Sequence, residues 1–358
     1  MDIRFEEREN LKAKPEGALG FGKHYTDYMF ICDYDADQGG FHDARIVPFG
    51  PIELDPATMV LHYAQETFEG LKAYRTKDNE ILLFRPEKNA ARFASSNSRL
   101  SMPEVPEDLF IGAIEELVKV EKDWVPDGEG QSLYIRPYMF ATEAAVGVHP
   151  ASSYKFMVIA SPVGAYYPEG VAPVKIWVED EYIRAAPGGT GFTKCGGNYA
   201  GSLKAQEKAE EQGYTQVLWL DGVEKKYVEE VGSMNAMFLI DGEVWTAPID
   251  GTVLPGVTRD SILHLLRDWG YTIHEEHLAI DDLMAAAREG RLQEAWGTGT
   301  AAVISPIGEL CYKGEKAEIN GFETGELTQK LYDTLTGIQW GNLEDPYGWT
   351  RKVVANEE

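Results

Sequence analysis

Two apolar stretches rich in branched and aromatic residues, "SLYIRPYMFA" (132–141) and "KFMVIASPVG" (155–164), set the first limit on the fold. Each falls well short of the roughly 18 apolar residues of a membrane span, and both read as strands. "ILLFRP" (81–86) reads the same way, whereas "DLFIGAIEELVKVEKDW" (108–124) has the apolar spacing of an amphipathic helix. Strands mixed with helices predict an α/β (α+β) chain. At 358 residues there is room for two domains, and the Pro- and Gly-rich run "SPVGAYYPEGVAP" (161–173) marks the change between them. The expected division is a small α/β domain over 1–165, a linker over 166–178 and a larger α/β domain over 179–358.

The second half repeats the mixture. "TQVLWLDG" (215–222) is a strand ending in a turn, and 226–249 reads as strands with a hairpin turn at Asp241-Gly242. "TRDSILHLLRDWG" (258–270) is a helix stopped by Gly270, and "DDLMAAAREG" (281–290) is another.

The chain carries 33 basic and 59 acidic side chains, a formal net charge of −26. Such a surface repels nucleic acid and anionic membranes, so neither is an expected partner, and an anionic ligand needs a local positive site. Cys32, Cys195 and Cys311 form no close pair, which suits reduced thiols. The opening "MDIRFEEREN" lacks the apolar core of a signal peptide, and the expected location is cytoplasmic.

Chemistry concentrates in "GGTGFTKCGGNYAGSLKAQ" (188–206), where Lys194 sits among glycines. A phosphate-binding loop of the form G-x-x-x-x-G-K-[ST] is excluded, because Cys195 stands where the Mg²⁺-binding hydroxyl belongs. A plain surface lysine and a Schiff-base lysine are the two remaining readings of this residue by itself. Glu230, in "YVEEVGSMNAMFLIDG", is either a solvent-facing strand residue or an inward acceptor for a protonated pyridine nitrogen. In "LPGVTRDSILHLL" (254–265) the amides of Val257 and Thr258 open a helix, as an ordinary start or as a phosphate site. "WGTGTAAVISPI" (296–307) offers a small-residue loop with Thr298 and Thr300.

Taken together, "KCGGNYAGSL", "EEVGSMNAMFLI", "LPGVTRDSIL" and "GTGTAAVISP" resemble the branched-chain amino acid aminotransferases, class IV aminotransferases of the fold-type IV pyridoxal-phosphate group. "HYAQETFEGLKAYR" (62–75), "LFRPEKNAARFASSNSRLSMP" (83–103) and "LYIRPYMFATEAAVGV" (133–148) carry the likeness through the first half. It covers nearly the whole chain, from about residue 20 to 342, and is closer to the longer subgroup that includes the animal enzymes.

The resemblance implies two α/β domains with pyridoxal 5′-phosphate in the cleft between them, and a homodimer. It makes Lys194 the residue that bonds the cofactor and moves the substrate α-proton. Tyr199 then hydrogen-bonds the phenolic oxygen, Glu230 pairs with the ring nitrogen, and Ser233 stands where the longer subgroup has threonine. Arg92, Val257, Thr258 and Thr300 match the phosphate cup. Tyr63 and Phe68 match aromatic walls of the substrate pocket, with Tyr134 and Arg136 on a facing strand. Thr300 and Ala301 match a loop for the substrate carboxylate, and either Phe21 or Tyr25 adds a wall.

The implied reaction moves an amino group reversibly between L-leucine, L-isoleucine or L-valine and 2-oxoglutarate, giving branched 2-oxo acids and L-glutamate with ping-pong kinetics. Tyr134 and Arg136 are the expected receivers of the distal carboxylate of 2-oxoglutarate. D-amino acid aminotransferase and aminodeoxychorismate lyase share the lysine and glutamate logic but lack "HYAQETFEGLKAYR" combined with "YIRP". A non-catalytic binder of a phosphate ligand would have no need of Lys194. The C-x-x-C thiol switch of some animal members is absent, since Ala302 and Ser305 hold that stretch. "IHEEHL" (273–278) is not H-E-x-x-H, and no metal site is expected.

Overall fold

A computed structural model describes residues 2–166 and 171–355. Strands in the first half are β1 (Arg4–Phe5), β2 (Tyr28–Asp35), β3 (Gly40–Pro48), β4 (Glu66–Phe68), β5 (Leu71–Arg75), β6 (Ile81–Phe84), β7 (Ser132–Ala141) and β8 (Ser153–Val163). The second half adds β9 (Val174–Glu179), β10 (Gln216–Leu220), β11 (Val228–Val231), β12 (Met234–Ile240), β13 (Glu243–Thr246), β14 (Ile273–Glu275), β15 (Leu292–Gly299), β16 (Val303–Tyr312) and β17 (Glu315–Glu318). The chain closes with β18 (Thr350–Val354). The helices are α1 (Met59–Tyr63), α2 (Pro86–Arg99), α3 (Glu107–Val120), α4 (Gly196–Ala200), α5 (Leu203–Glu211), α6 (Val257–Asp268), α7 (Ile280–Arg288) and α8 (Glu326–Gln339).

The chain forms two compact units, one of Met1–Pro168, Lys194–Gly196 and Gly337–Glu358, the other of Glu169–Thr193 and Gly197–Thr336. Part of the expected linker, 167–170, lies outside the described residues. Residues 161–163 finish β8, and 174–178 already belong to β9. The tail departs from the expected division at 179–358. Its β18 pairs antiparallel with β6, so Gly337–Glu358 belongs to the first unit.

The first unit is built on a sheet of order β1-β3-β2-β8-β7-β5-β6-β18, with β4 also on β7. Residues 133, 135, 139 and 141 of β7 turn to one face, where α2 and α3 cover them through Phe93, Phe110, Ile114 and Leu117. α3 buries Leu109, Phe110, Ala113, Ile114, Leu117 and Val118 at helical spacing, and Glu107 and Asp108 in its first turn suit the helix dipole. Pro137 lies inside β7, where its missing N–H falls between the partners β5 and β4, which pair with Ile135 and Tyr138 on either side. The other face of β7 carries Tyr134, Arg136 and Tyr138.

In the second unit β11, β10, β9, β16, β15 and β12 pair in turn, and β11 pairs again with β12, closing a ring. The expected hairpin at Asp241-Gly242 joins β12 to β13. The segment 273–278 begins with the short strand β14, where His274 Nε2 stands 2.7 Å from Glu243 Oε2. Among the described residues no group of His, Cys, Asp and Glu could hold a metal ion, and no helix is long and apolar enough to cross a membrane.

Candidate functional site

Lys194 enters the first unit through its backbone. Its N–H donates to Ser96 Oγ at 3.0 Å, and its carbonyl accepts from Phe68 N at 3.0 Å. Its Nζ stands 4.9 Å from the centre of the Phe68 ring. The Arg136 guanidinium lies 4.7 Å from the same centre and donates to Tyr134 Oη at 2.9 Å. Phe68, Tyr134, Arg136 and Lys194 are therefore gathered on one face of the first sheet, as the spacing of β7 required. Phe21 meets the Tyr134 ring edge-on at 4.9 Å, whereas Tyr25 stacks on Phe49. Of the two aromatic alternatives, Phe21 is the one beside the expected substrate residues. Tyr63, at the end of α1, is partly exposed, and its hydroxyl donates to the carbonyl of Val146.

Arg92 is fixed by a carboxylate that the sequence reading passes over. Its Nε and Nη2 donate to Glu69 Oε1 and Oε2 at 2.7 and 2.8 Å, and Asn89 Nδ2 adds a third bond at 2.8 Å. Burial raises the Glu69 carboxyl, but Arg92, Lys194 and the Asn89 bond together hold it below the usual carboxylate range. The fork uses two of the five guanidinium donors and sets the direction of the rest. Lys72, opposite Tyr134 in the β5–β7 pairing, is wholly buried, and burial pushes its ammonium down to about 8. The motif "FEGLKAYR" contains both residues, yet nothing in it says that either turns inward.

The second unit holds Tyr199, Glu230 and Ser233 around one small cavity. Arg184, Thr193 and Leu254, none of them singled out from the sequence, line it too. Glu230, on β11, is buried. Its Oε1 accepts from Leu254 N at 2.8 Å and Asn235 Nδ2 at 3.2 Å, and Arg184 Nε stands 3.1 Å from Oε2. The Nε–H is not aimed at that oxygen, so this contact is an ion pair rather than a formed hydrogen bond. Arg184 is itself pinned through Nη2 to the carbonyls of Gly191, at 3.0 Å, and Thr252. Thr193 Oγ1 is buried with no hydrogen-bond partner among the described residues.

Val257, Thr258, Thr300 and Ala301 stand outside the lining of this cavity but close to it along the backbone. Asn235 pairs with Thr298 across β12 and β15, so the turn holding Thr300 and Ala301 begins two residues beyond that pair. Asn235 Nδ2 also donates to Leu254 O at 2.9 Å, just before α6. α6 starts at Val257 after Gly256, with no side chain capping its first amides. Those amides and the dipole of a 12-residue helix form an anion site by the usual physics of helix starts.

Residues 66–310 match the model of a protein family described as amino-transferase class IV. The chain is 53% identical to branched-chain-amino-acid aminotransferase 2 of Bacillus subtilis over 99% of its own length and 98% of that protein's. The crystal structure of the Escherichia coli branched-chain amino acid aminotransferase superposes with a TM-score of 0.76 at 26% identity, covering 91% of this chain and 99% of that one. The branched-chain amino acid aminotransferase of T.th., solved with pyridoxamine 5′-phosphate, gives a TM-score of 0.75 at 26% identity, covering 91% and 98%. A family match over well over half the chain, with a relative of this identity along its whole length, leads to one assignment: the chain belongs to the class IV aminotransferases.

Proposed function

We infer that this protein is a branched-chain-amino-acid aminotransferase dependent on pyridoxal 5′-phosphate. The observation that carries this reading is the 53% identity to the Bacillus subtilis enzyme along essentially the full length of both chains. The residues present suit that cofactor. Glu230 offers a buried carboxylate to a pyridinium N–H, Thr193 Oγ1 is a buried hydroxyl without a partner among the described residues, and the uncapped start of α6 suits a phosphate dianion.

When bound, pyridoxal 5′-phosphate supplies the electron sink for the α-carbon and carries the amino group from one substrate to the next. Lys194 would hold it covalently at rest, and its freed amine would then carry the proton away from the substrate α-carbon. Glu230, held by the Leu254 amide and Asn235 and facing Arg184, would accept a hydrogen bond from the protonated ring nitrogen and so favour the proton staying on the ring. Tyr199 donates to the phenolic oxygen. Arg92, the Val257 and Thr258 amides and the Thr300 hydroxyl would grip the phosphate, and Ser233, in the lining shared with Tyr199 and Glu230, would be a further cofactor contact. Thr300 and Ala301 orient the substrate carboxylate.

Tyr63, Phe68 and Phe21 make the apolar wall that receives leucine, isoleucine and valine. Apolar burial is worth about 25 cal/mol per Å², so a single methylene discriminates only modestly among them. 2-Oxoglutarate is the acceptor and L-glutamate its product, with Arg136 and Tyr134 taking the distal carboxylate. The enzyme works in the cytoplasm, a reading supported by three buried cysteines that form no disulfide. It works as a homodimer, supported by the exposed Val146 and Val148 of the 143–150 segment, which suit a neighbour's pocket rather than water.

Borohydride treatment of the holoenzyme tests the central assignment. A stable phosphopyridoxyl adduct on the Lys194 peptide is expected, and Lys194→Ala should lose both adduct and turnover. An adduct on another lysine, or full turnover in the variant, would overturn it. Parallel double-reciprocal lines for leucine and 2-oxoglutarate are expected, and intersecting lines would count against the shuttle.

A further inference from the structure

One pocket that takes both leucine and a dicarboxylate must manage the charge of Arg136 in two opposite situations. With an apolar side chain bound, a desolvated guanidinium needs an anion nearby. With a distal carboxylate bound, any resident anion becomes a competitor. We propose that Glu66 is this resident anion and that it sets the balance between apolar and dicarboxylic substrates. The inference rests on 2-oxoglutarate being the acceptor.

Glu66 and Phe68 lie two apart on β4, so they share a face, and Arg136 from β7 covers the Phe68 ring. The groups acting on the Glu66 carboxylate are the Arg136 guanidinium and the Gly196 amide, while the Lys194 Nζ lies over the Phe68 ring of the same strand. The carboxylate is half-buried. Its burial raises its pKa, while Gly196 N–H and the Arg136 charge pull it back only in part.

Gly196 explains why the side chain stays there. Its N–H donates to Glu66 Oε1 at 2.6 Å, and a Cβ at residue 196 would stand 2.1 Å from that oxygen. Only glycine lets the carboxylate sit flat on the backbone two residues beyond Lys194. The tether keeps the negative charge beside Arg136 instead of in solvent. It also means that the charge and the tether are separable, because a glutamine retains the acceptor oxygen and loses the charge.

The test is calorimetric titration of the holoenzyme with two unreactive acids, glutarate and 4-methylvalerate. Glu66→Gln should bind glutarate on the order of tenfold tighter, with 4-methylvalerate within twofold of the parent. The KM for 2-oxoglutarate should fall while that for leucine stays near its starting value. Glu66→Ala, which loses the tether as well, should shift both ligands. Unchanged or weaker glutarate binding in Glu66→Gln, or a common shift of both ligands there, would overturn the proposal and leave Glu66 a purely structural tether. A parent enzyme that binds 4-methylvalerate but neither binds glutarate nor turns over 2-oxoglutarate would instead sink the acceptor reading, before any variant is compared.

Discussion

Glu69 shows how a single buried carboxylate sets up its neighbours. It is fully buried, and its two oxygens take Arg92 in a fork, with Asn89 completing the shell. Removing one member of such a pair leaves the other charge buried and uncompensated. Glu69→Gln should therefore cost about 3 kcal/mol in urea unfolding, by the usual penalty for breaking a buried pair. The folded pKa of Glu69 lies below its value in the unfolded chain, so the unfolded state binds more protons as acid is added. The contribution of Glu69 is present above the unfolded carboxylate range and is lost as the pH falls through the folded value. A parent-minus-variant stability difference that stays flat from neutrality down to strong acid would contradict this. Lys194 and Glu230 are legible in the sequence because their neighbourhoods are distinctive. Glu69, Arg184 and Thr193 are not, since their role comes from partners brought by folding: Arg184 meets a glutamate 46 positions away, and Thr193 differs from other threonines only in where its hydroxyl is buried.

At the level of elements, the site of the second unit depends on how β11, β12 and the start of α6 are stitched together. Asn235 is the stitch, donating to both Glu230 Oε1 and Leu254 O. Its Oδ1 occupies the space over Gly256, where an added Cβ would stand 2.1 Å away. Gly256→Ala would drive Asn235 aside and loosen Glu230 and the first turn of α6 together. A stability cost of about 1–3 kcal/mol is the usual result of such overpacking. Fluorescence titration of the apoprotein should also show pyridoxal 5′-phosphate bound at least tenfold more weakly. Cofactor affinity that is unchanged while stability falls would separate the stitch from the site. Patterning alone locates β7, the hairpin at Asp241-Gly242 and the helices α3, α6 and α7 to within a few residues, because their periodicity and stop signals are local. The ring also needs β9 to pair with β16, two strands far apart in the chain, and no local period announces that pairing.

For the whole molecule, the path of the chain matters more than its order. The last segment leaves the second unit within α8 and ends as β18 on the edge of the first sheet. Trp349 meets Phe84 edge-on and stacks with Tyr347, Arg85 lies 5.0 Å over the Trp349 ring, and Arg85 N–H donates to Trp349 O at 2.8 Å. Asp345 organises the approach by accepting from the Thr350 amide at 2.7 Å and its hydroxyl at 2.9 Å. Sequence reading assigns this tail to the second domain because adjacency is the only information at hand, and "TRKVV" carries nothing that names "ILLF" as its partner. Deleting residues 342–358 would expose β6, with Ile81 and Leu83 now buried, as a flat apolar edge. Hydrogen exchange should then show β6 losing roughly two orders of magnitude of protection while β12 keeps its own, and the truncated protein should self-associate. Equal losses in β6 and β12, or none in β6, would mean that the tail is not what secures the first sheet.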